Sequence, residues 1–293
     1  MHPRQHWQVV RAIGGAHTKG ILKTFPRVVN RYTLPYLSMD FNRLERHQML
    51  KGHYDFLNTA LDASFFQRVL AGSMTLWQRE LDARSFSIEV SGPCLSREGD
   101  LTLVFKMDGR WLYRIAFSLI ESALLKLETP PGSPASKHLI YVGQVQGCPG
   151  DFDRIRQATG TCGDVAPVDM LIAALEGLAD ALGITIVAGV ALENCLSYQK
   201  MLKINSTFSY THFWEKHHGI RTERGHYILP VPLLEKPINL IKANHRKRTL
   251  LKRDFKQSIA DEVGRVMHPL VLVRCGAGLV SPRLTRCASY LPG

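Results

Sequence analysis

The side chains able to do chemistry are plentiful but scattered. Six cysteines, Cys94, Cys148, Cys162, Cys195, Cys275 and Cys287, include no C-x-x-C pair, and none is followed by a histidine at zinc-finger spacing. That pattern predicts small buried hydrophobes rather than a metal or redox centre. Twelve histidines include the adjacent pair His217-His218. Neighbours on a helix point about 100° apart, so this pair is a solvated helix end and not a chelate. Asp151 and Asp153 flank Phe152 in a turn-like Asp-x-Asp, and Glu98-Gly99-Asp100 reads as a turn ahead of a strand. No G-x-S-x-G elbow, phosphate-binding Walker loop or Ser/His/Asp spacing occurs. His47 and Tyr54 share an apolar helical stripe, where either could be catalytic or simply belong to the core.

Charge points to partners. The 293 residues carry 37 Lys and Arg against 25 Asp and Glu, a formal net charge of +12. Residues 1–50 hold eight basic and two acidic side chains, and residues 236–256 hold eight and one, so the remainder is nearly neutral. Two cationic regions on a neutral body attract polyanions, whether RNA, anionic lipid headgroups or lipopolysaccharide phosphates. In the second region the expected contacts are Arg246, Lys247, Arg248, Lys252, Arg253 and Lys256, and the competing reading is an ordinary solvated helix face. Hydrophobic residues at 45 % and charged residues at 21 % exclude a disordered chain. No apolar run reaches the about 20 residues that span a bilayer. The basic N-terminus lacks the apolar core of a secretory signal. The expectation is therefore a cytoplasmic protein, able to sit peripherally at the inner face of the inner membrane.

The elements that must position these groups follow from periodicity. Residues 4–80 read as helical, with Leu44, His47, Leu50, Tyr54, Leu57 and Leu61 forming one stripe. From Ser85 the period becomes two, and Asp108-Gly109 between apolar runs signals a hairpin. Residues 129–136 form a Pro/Ser/Gly loop, and 138–147 a strand. Pro167 opens a helix that Gly183 stops, and ITIVAGVAL follows as a buried strand. Strand, helix and strand in that order predict a crossover joining a parallel pair. A short helix near 210–218, a strand at HYILP and a basic helix over 244–263 complete the pattern. The expected class is mixed α/β: a helical N-terminal segment over 1–80 packed on a mixed-sheet domain over 81–265, then a loosely ordered tail over 266–293.

Several ordered segments resemble the bacterial VirK/YbjX family: RLERHQMLKGHYDFL, REGDLTLVFK, LYRIAFSL, YVGQVQG, the helix-strand pair 167–190, FWEKHHGI…GHYILP and NHRKRTLLKRDF. Together they span about residues 40–260. The resemblance implies a virulence accessory role in envelope integrity, expression of surface proteins and tolerance of cationic antimicrobial peptides. It supplies no biochemical activity. Two turns depart from the family pattern, Gly163–Pro167 and Glu193–Leu196, where basic groups are expected.

The element order is also similar to that of GNAT-type acyltransferases. That likeness implies a pyrophosphate cradle for acyl-coenzyme A at the start of the central helix. The nearest match is Gln157-Ala158-Thr159-Gly160-Thr161-Cys162-Gly163, one residue too long, with Asp164 adding a negative charge that Arg154 and Arg156 would offset. Gln146 joins this set, and Tyr198 or Tyr210 would be the general acid. Three functions therefore stand side by side: an envelope accessory needing no cofactor, an acyltransferase modifying an envelope component or protein amine, and an RNA-binding regulator.

Overall fold

The structure is a computed structural model describing residues 3–93, 96–126, 137–198 and 208–272. The helical start is broken into short pieces: α1 (Pro3–Ile13), α2 (Lys19–Thr24), a 3-10 helix (Pro26–Thr33), α3 (Arg43–Ala60) and α4 (Ala63–Leu70). Asn42 begins α3 with a full capping box, accepting from the backbone of Leu44 and Glu45 while the Glu45 carboxylate accepts from Asn42 N–H. Of the expected stripe, His47, Leu50, Tyr54, Leu57 and Leu61 are buried, and Leu44 is exposed.

Helix ends earlier than periodicity suggests. Met74–Leu81 is strand β1, not the close of a helical segment, and it turns through Asp82 and Ala83, both at positive φ, into β2 (Arg84–Ser91). Its outer half, Gln-Arg-Glu, suits a helix by propensity, and pairing with β2 overrides that preference. Then come β3 (Leu101–Met107), β4 (Arg110–Glu121) and β5 (His138–Gly147). The Asp108-Gly109 turn has φ values of 51° and 73°, as a tight hairpin requires. Residues 152–161 form helix α5 (Phe152–Thr161) where a loop was expected. Helix α6 (Pro167–Leu182) ends on Gly183 and leads into β6 (Ile186–Val190). Helix α7 (Tyr210–Lys216), strands β7 (Ile220–Arg221) and β8 (His226–Pro230), and the long α8 (Ala243–Met267) follow.

One eight-stranded sheet results, in the order β1-β2-β3-β4-β5-β6-β8-β7. Among the described strands only β5 and β6 pair in parallel, as the crossover predicts. Register assigns the faces. Leu101, Leu103 and Phe105 pair with Phe117, Ile115 and Tyr113 on the apolar side, which α6 covers. Thr102, Val104, Ala116, Arg114, Gln144 and Gln146 lie on the other side, with α3 packed across β4. Helix α8 clamps α6 from outside, and Gly177 of α6 makes the close approach possible: a Cβ there would stand 2.2 Å from the Ala260 carbonyl. The expected loop at 129–136 and most of the expected tail, from residue 273, fall outside the described residues.

Candidate functional site

The polar side of the sheet holds three linked clusters. Deepest is Asp100, fully buried beneath α3. Its carboxylate accepts from Arg31 Nη1 at 3.0 Å, from the Tyr54 hydroxyl at 3.0 Å, from Tyr36 and from Ser118 at 3.2 Å. Burial alone would raise this carboxyl, but Arg31, then His53 and the two tyrosine donors, hold it below 3.8. His53 is pushed the opposite way, down to about 4, because burial disfavours its cation. Its Nδ1 accepts the Leu119 N–H at 3.0 Å, so the proton sits on Nε2. The bonds from Arg31, Tyr36, Tyr54 and His53 tie the N-terminal layer to the sheet and the loop before β3.

Glu98 is next, two residues along the same loop and only 3 % exposed. Gln144 and Ser197 donate to its two oxygens, and Cys195 Sγ lies 3.9 Å from Oε1. Burial raises its pKa above 4.5, although Ser197, Arg114 and Cys195 pull the other way. Burial and then Glu98 push the Cys195 thiol up to about 11, so it is a thiol and not a thiolate. The Tyr210 hydroxyl sits 3.8 Å from Cys195 Sγ, accepts from Val145 N–H at 3.0 Å and lies 3.3 Å from the Val145 carbonyl.

This geometry comes from the strands. β5 and β6 pair only at Ile140–Val187, Tyr141–Ala188 and Val142–Gly189. Gly143 is then left out of the β4 register, its backbone against Glu98 and Leu37, where a Cβ would meet the Glu98 carbonyl at 2.2 Å. Beyond that bulge β5 no longer pairs with β6, and Tyr210 satisfies its backbone. Crevices at the carboxyl ends of parallel strands are where ligands bind in open α/β sheets. Here side chains occupy that position.

The third cluster links Asp40, His226 and Tyr141. Asp40 Oδ2 lies 3.3 Å from His226 Nε2, and the Tyr141 hydroxyl lies 3.1 Å from His226 Nδ1. Phe41 stacks on the imidazole with centroids 5.1 Å apart. Arg224 reaches Asp40 at 3.1 Å and Glu45 at 2.9 Å.

The residues singled out in the sequence distribute as follows. His47 is a core residue: Nε2 lies 3.0 Å from the Gln5 carbonyl and its ring meets Tyr32 edge-on. Tyr210 is buried in the Glu98 cluster, and Tyr198 is half-buried and packs on the core. Gln146 accepts from Arg114 at 2.5 and 3.0 Å. Arg154, Arg156, Gln157 and Gly160 lie exposed on α5, and Gly163 follows it at φ 64°. Backbone N–H groups inside a helix are spent on carbonyls four residues back, so this stretch is not an open pyrophosphate cradle.

Of the basic six on α8, Arg248 pairs with Asp164 at 2.7 Å. Arg253 and Lys256 share Glu235 at 2.8 and 2.9 Å. Arg246 donates to the carbonyls of Ile241 and Asn239, while Lys247 is exposed and Lys252 half-buried. Lys252, Arg253 and Lys256 line a groove of about 770 Å³ between α6, α7 and α8, facing Asp164, Asp169, Glu176 and Glu235. Opposite charges interleave there, so the groove is not a cationic surface. The described residues contain no His/Cys/Asp/Glu group able to hold a metal.

Residues 1–261 match the family described as "Protein of unknown function (DUF535)". The chain belongs to this family, the VirK/YbjX group. It is 25 % identical over 264 residues to the Escherichia coli (strain K12) protein titled "Uncharacterized protein YbjX", a match covering 85 % of this chain and 73 % of YbjX. The DUF535 match runs through both the N-terminal helices and the sheet, so the Asp100 junction between them lies within the family region. Sequence reasoning retained Glu98 only as part of a turn. Its partners Gln144, Cys195 and Ser197 are 46 to 99 residues away, and no local pattern joins them. No described helix is long and apolar enough to cross a membrane.

Proposed function

We propose that this DUF535 protein is a peripheral accessory of the bacterial envelope that works at phosphate-rich anionic surfaces, supporting surface-protein expression and tolerance of cationic antimicrobial peptides. The observation that carries this reading is the outer face of the N-terminal layer. Trp7 is 61 % exposed, with the Arg11 guanidinium 5.5 Å from its ring centroid. Leu44, at the start of α3, is exposed as well. Among the described residues no ion pair engages Arg4, Arg11, Lys19, Lys23, Arg27 or Arg43, whereas half of the basic set on α8 is paired. An exposed indole among unpaired arginines suits a bilayer interface, where each basic residue adds about 1 kcal/mol. Val9, Ile13 and Ile21 are buried, so these helices dock on their own domain and present only their outer side.

Sedimentation with vesicles tests this. Anionic vesicles should pellet the chain and neutral vesicles should not. Replacing Arg4 and Arg11 together by Gln should weaken partitioning roughly 10- to 30-fold. Equal recovery from both vesicle types ends the reading.

A second reading, acyl transfer on a GNAT-like scaffold, is favoured by one observation. The one parallel pair among the described strands diverges after three residues, with the buried Glu98 carboxyl at the opening. With its pKa raised, Glu98 would accept a proton from an attacking amine. The helical Gln157–Gly160 stretch and the acids Asp164 and Asp169 beside the start of α6 do not suit a pyrophosphate, so no step is assigned to coenzyme A. Titration with acetyl-coenzyme A decides the matter: the absence of both heat and a thermal shift at millimolar ligand rules this reading out.

A further inference from the structure

Helix α8 is 25 residues long, and its buried residues begin only at Ile259. No residue from Ala243 to Ser258 is buried, so about 24 Å of helix runs along the outside of the body. A helix takes most of its stability from an apolar face laid against a neighbour. On its inner side Thr249, Lys252, Arg253 and Lys256 line the groove, and the ion pairs of Arg248, Arg253 and Lys256 all go to Asp164 and Glu235, which line it too. The outer side is different. Lys247, Leu250 and Leu251 share it at helical spacing, with Leu250 45 % and Leu251 61 % exposed, and Leu240 in the turn before α8 is 61 % exposed. Asp254, one turn further on, ends the patch. Among the described residues no ion pair engages Lys242 or Lys247, and Arg246 gives its donors to the carbonyls of Ile241 and Asn239, so no acid offsets these charges.

This patch and the N-terminal layer lie on opposite sides of the sheet. Tyr54 of α3 reaches Asp100, on the Thr102 and Ser118 side. Phe255 of α8 meets Trp77, whose partner Ile88 pairs with Phe105 on the other side. Each layer between them adds about 10 Å, and charges are screened within about 8 Å at physiological ionic strength. One flat surface therefore cannot touch both faces, and each face acts on its own surroundings. Lysine and arginine beside exposed leucines match the phosphates and acyl boundary of an anionic bilayer. RNA is a poorer fit, because the exposed apolar residues are aliphatic and give bases no platform to stack on. A second copy of the chain would bring like charge to like.

We propose that the outer side of α8 is a second membrane contact, so that the protein bridges two anionic bilayers, one on each side of its sheet. The bridge rests on the docking reading of the N-terminal face and adds a tethering function to it. The α8 contact is the weaker of the two. It offers the three cations Lys242, Arg246 and Lys247 and no indole, against six cations and the exposed Trp7 on the N-terminal layer.

Vesicle clustering by the full chain is the test. Sucrose-loaded phosphatidylcholine vesicles, with and without phosphatidylglycerol, are followed by light scattering for clustering and by sedimentation for binding. With phosphatidylglycerol, scattering should rise at a low ratio of chain to lipid and fall again at excess chain, because a coated vesicle leaves no bare surface for the second face. Neutral vesicles should stay single. Lys247→Gln, Leu250→Gln and Leu251→Gln together, all at exposed positions, should lower clustering about tenfold or more while changing sedimentation less than about twofold. Sedimentation without clustering overturns the bridge and leaves the docking reading standing. Loss of sedimentation with anionic vesicles ends the docking reading and the bridge with it. Clustering undiminished in the triple variant overturns the assignment to α8. Clustering that follows dimer formation by the free chain in sedimentation velocity makes a second copy the link and overturns the bridge. Filter retention of a mixed-sequence RNA, lost in the triple variant and without vesicle clustering by the unaltered chain, makes nucleic acid the occupant and does the same.

Discussion

Asp100→Asn is the substitution whose cost can be worked most directly. The Asp100 side chain is 0 % exposed and that of Arg31 8 %, with the charged atoms 3.0 Å apart. At an effective dielectric near 20, that separation corresponds to about 5 kcal/mol of attraction. The amide keeps a carbonyl for one tyrosine donor but removes the counter-charge and one acceptor oxygen. Breaking a buried pair from one side costs about 3–5 kcal/mol, so Asp100→Asn should lose about that much stability in urea unfolding followed by tryptophan fluorescence. Adding Arg31→Met should recover part of the loss, giving a coupling of about 1–3 kcal/mol. Acid sensitivity should change too. Asp100 titrates below its ordinary 3.8 in the fold, so its contribution is complete above that value and disappears as pH falls past it. The Asn variant should show a flatter acid limb. A loss under about 1 kcal/mol, or strict additivity with Arg31→Met, would refute the claim that this ion pair joins the helical layer to the sheet.

Other consequences are equally open to measurement. His53 stays neutral in the fold down to about pH 4, whereas an unfolded histidine binds its proton near 6.5. Stability should therefore fall as pH drops from 6.5 toward 4, by up to roughly 3 kcal/mol, and the slope should flatten in His53→Gln. Gly177→Ala pushes a methyl to 2.2 Å from the Ala260 carbonyl and should cost about 1–3 kcal/mol while loosening α8, read as faster proteolysis within 243–267. Cys195 is 1 % exposed with its thiol raised to about 11, so at pH 8 peptide mapping should find it unalkylated in the native chain and labelled in urea. Native labelling at the unfolded rate would show that the Glu98 cluster is open to solvent.

Much of the architecture is written locally. The hairpin at Asp108-Gly109, the α6 boundaries at Pro167 and Gly183 and the continuous apolar run of β6 are set by residues within a few positions of one another, and each formed where periodicity placed it. β1 was illegible because Gln78, Arg79 and Glu80 carry no strand signal of their own. Partners on β2, and the Arg79–Glu262 contact at 2.5 Å to α8, make it a strand. Helix α5 was hidden for a related reason: Gly160 and Gly163 read as loop, yet Gly160 sits on an exposed helical turn where a Cβ would meet only open space.

The sequence by itself determined the mixed α/β class, the parallel crossover and the excess of positive charge, because backbone preference, apolar period and net charge are properties of neighbouring residues or of plain counts. Only the tertiary structure decided which charges are free. Arg248, Arg253 and Lys256 are met by Asp164 and Glu235 from other elements, whereas Arg46 Nε and Arg97 Nη1 are each shut off from solvent with no hydrogen-bond acceptor. Pairing of charges across 18 to 84 residues depends on where elements pack, and a one-dimensional pattern carries no information about it.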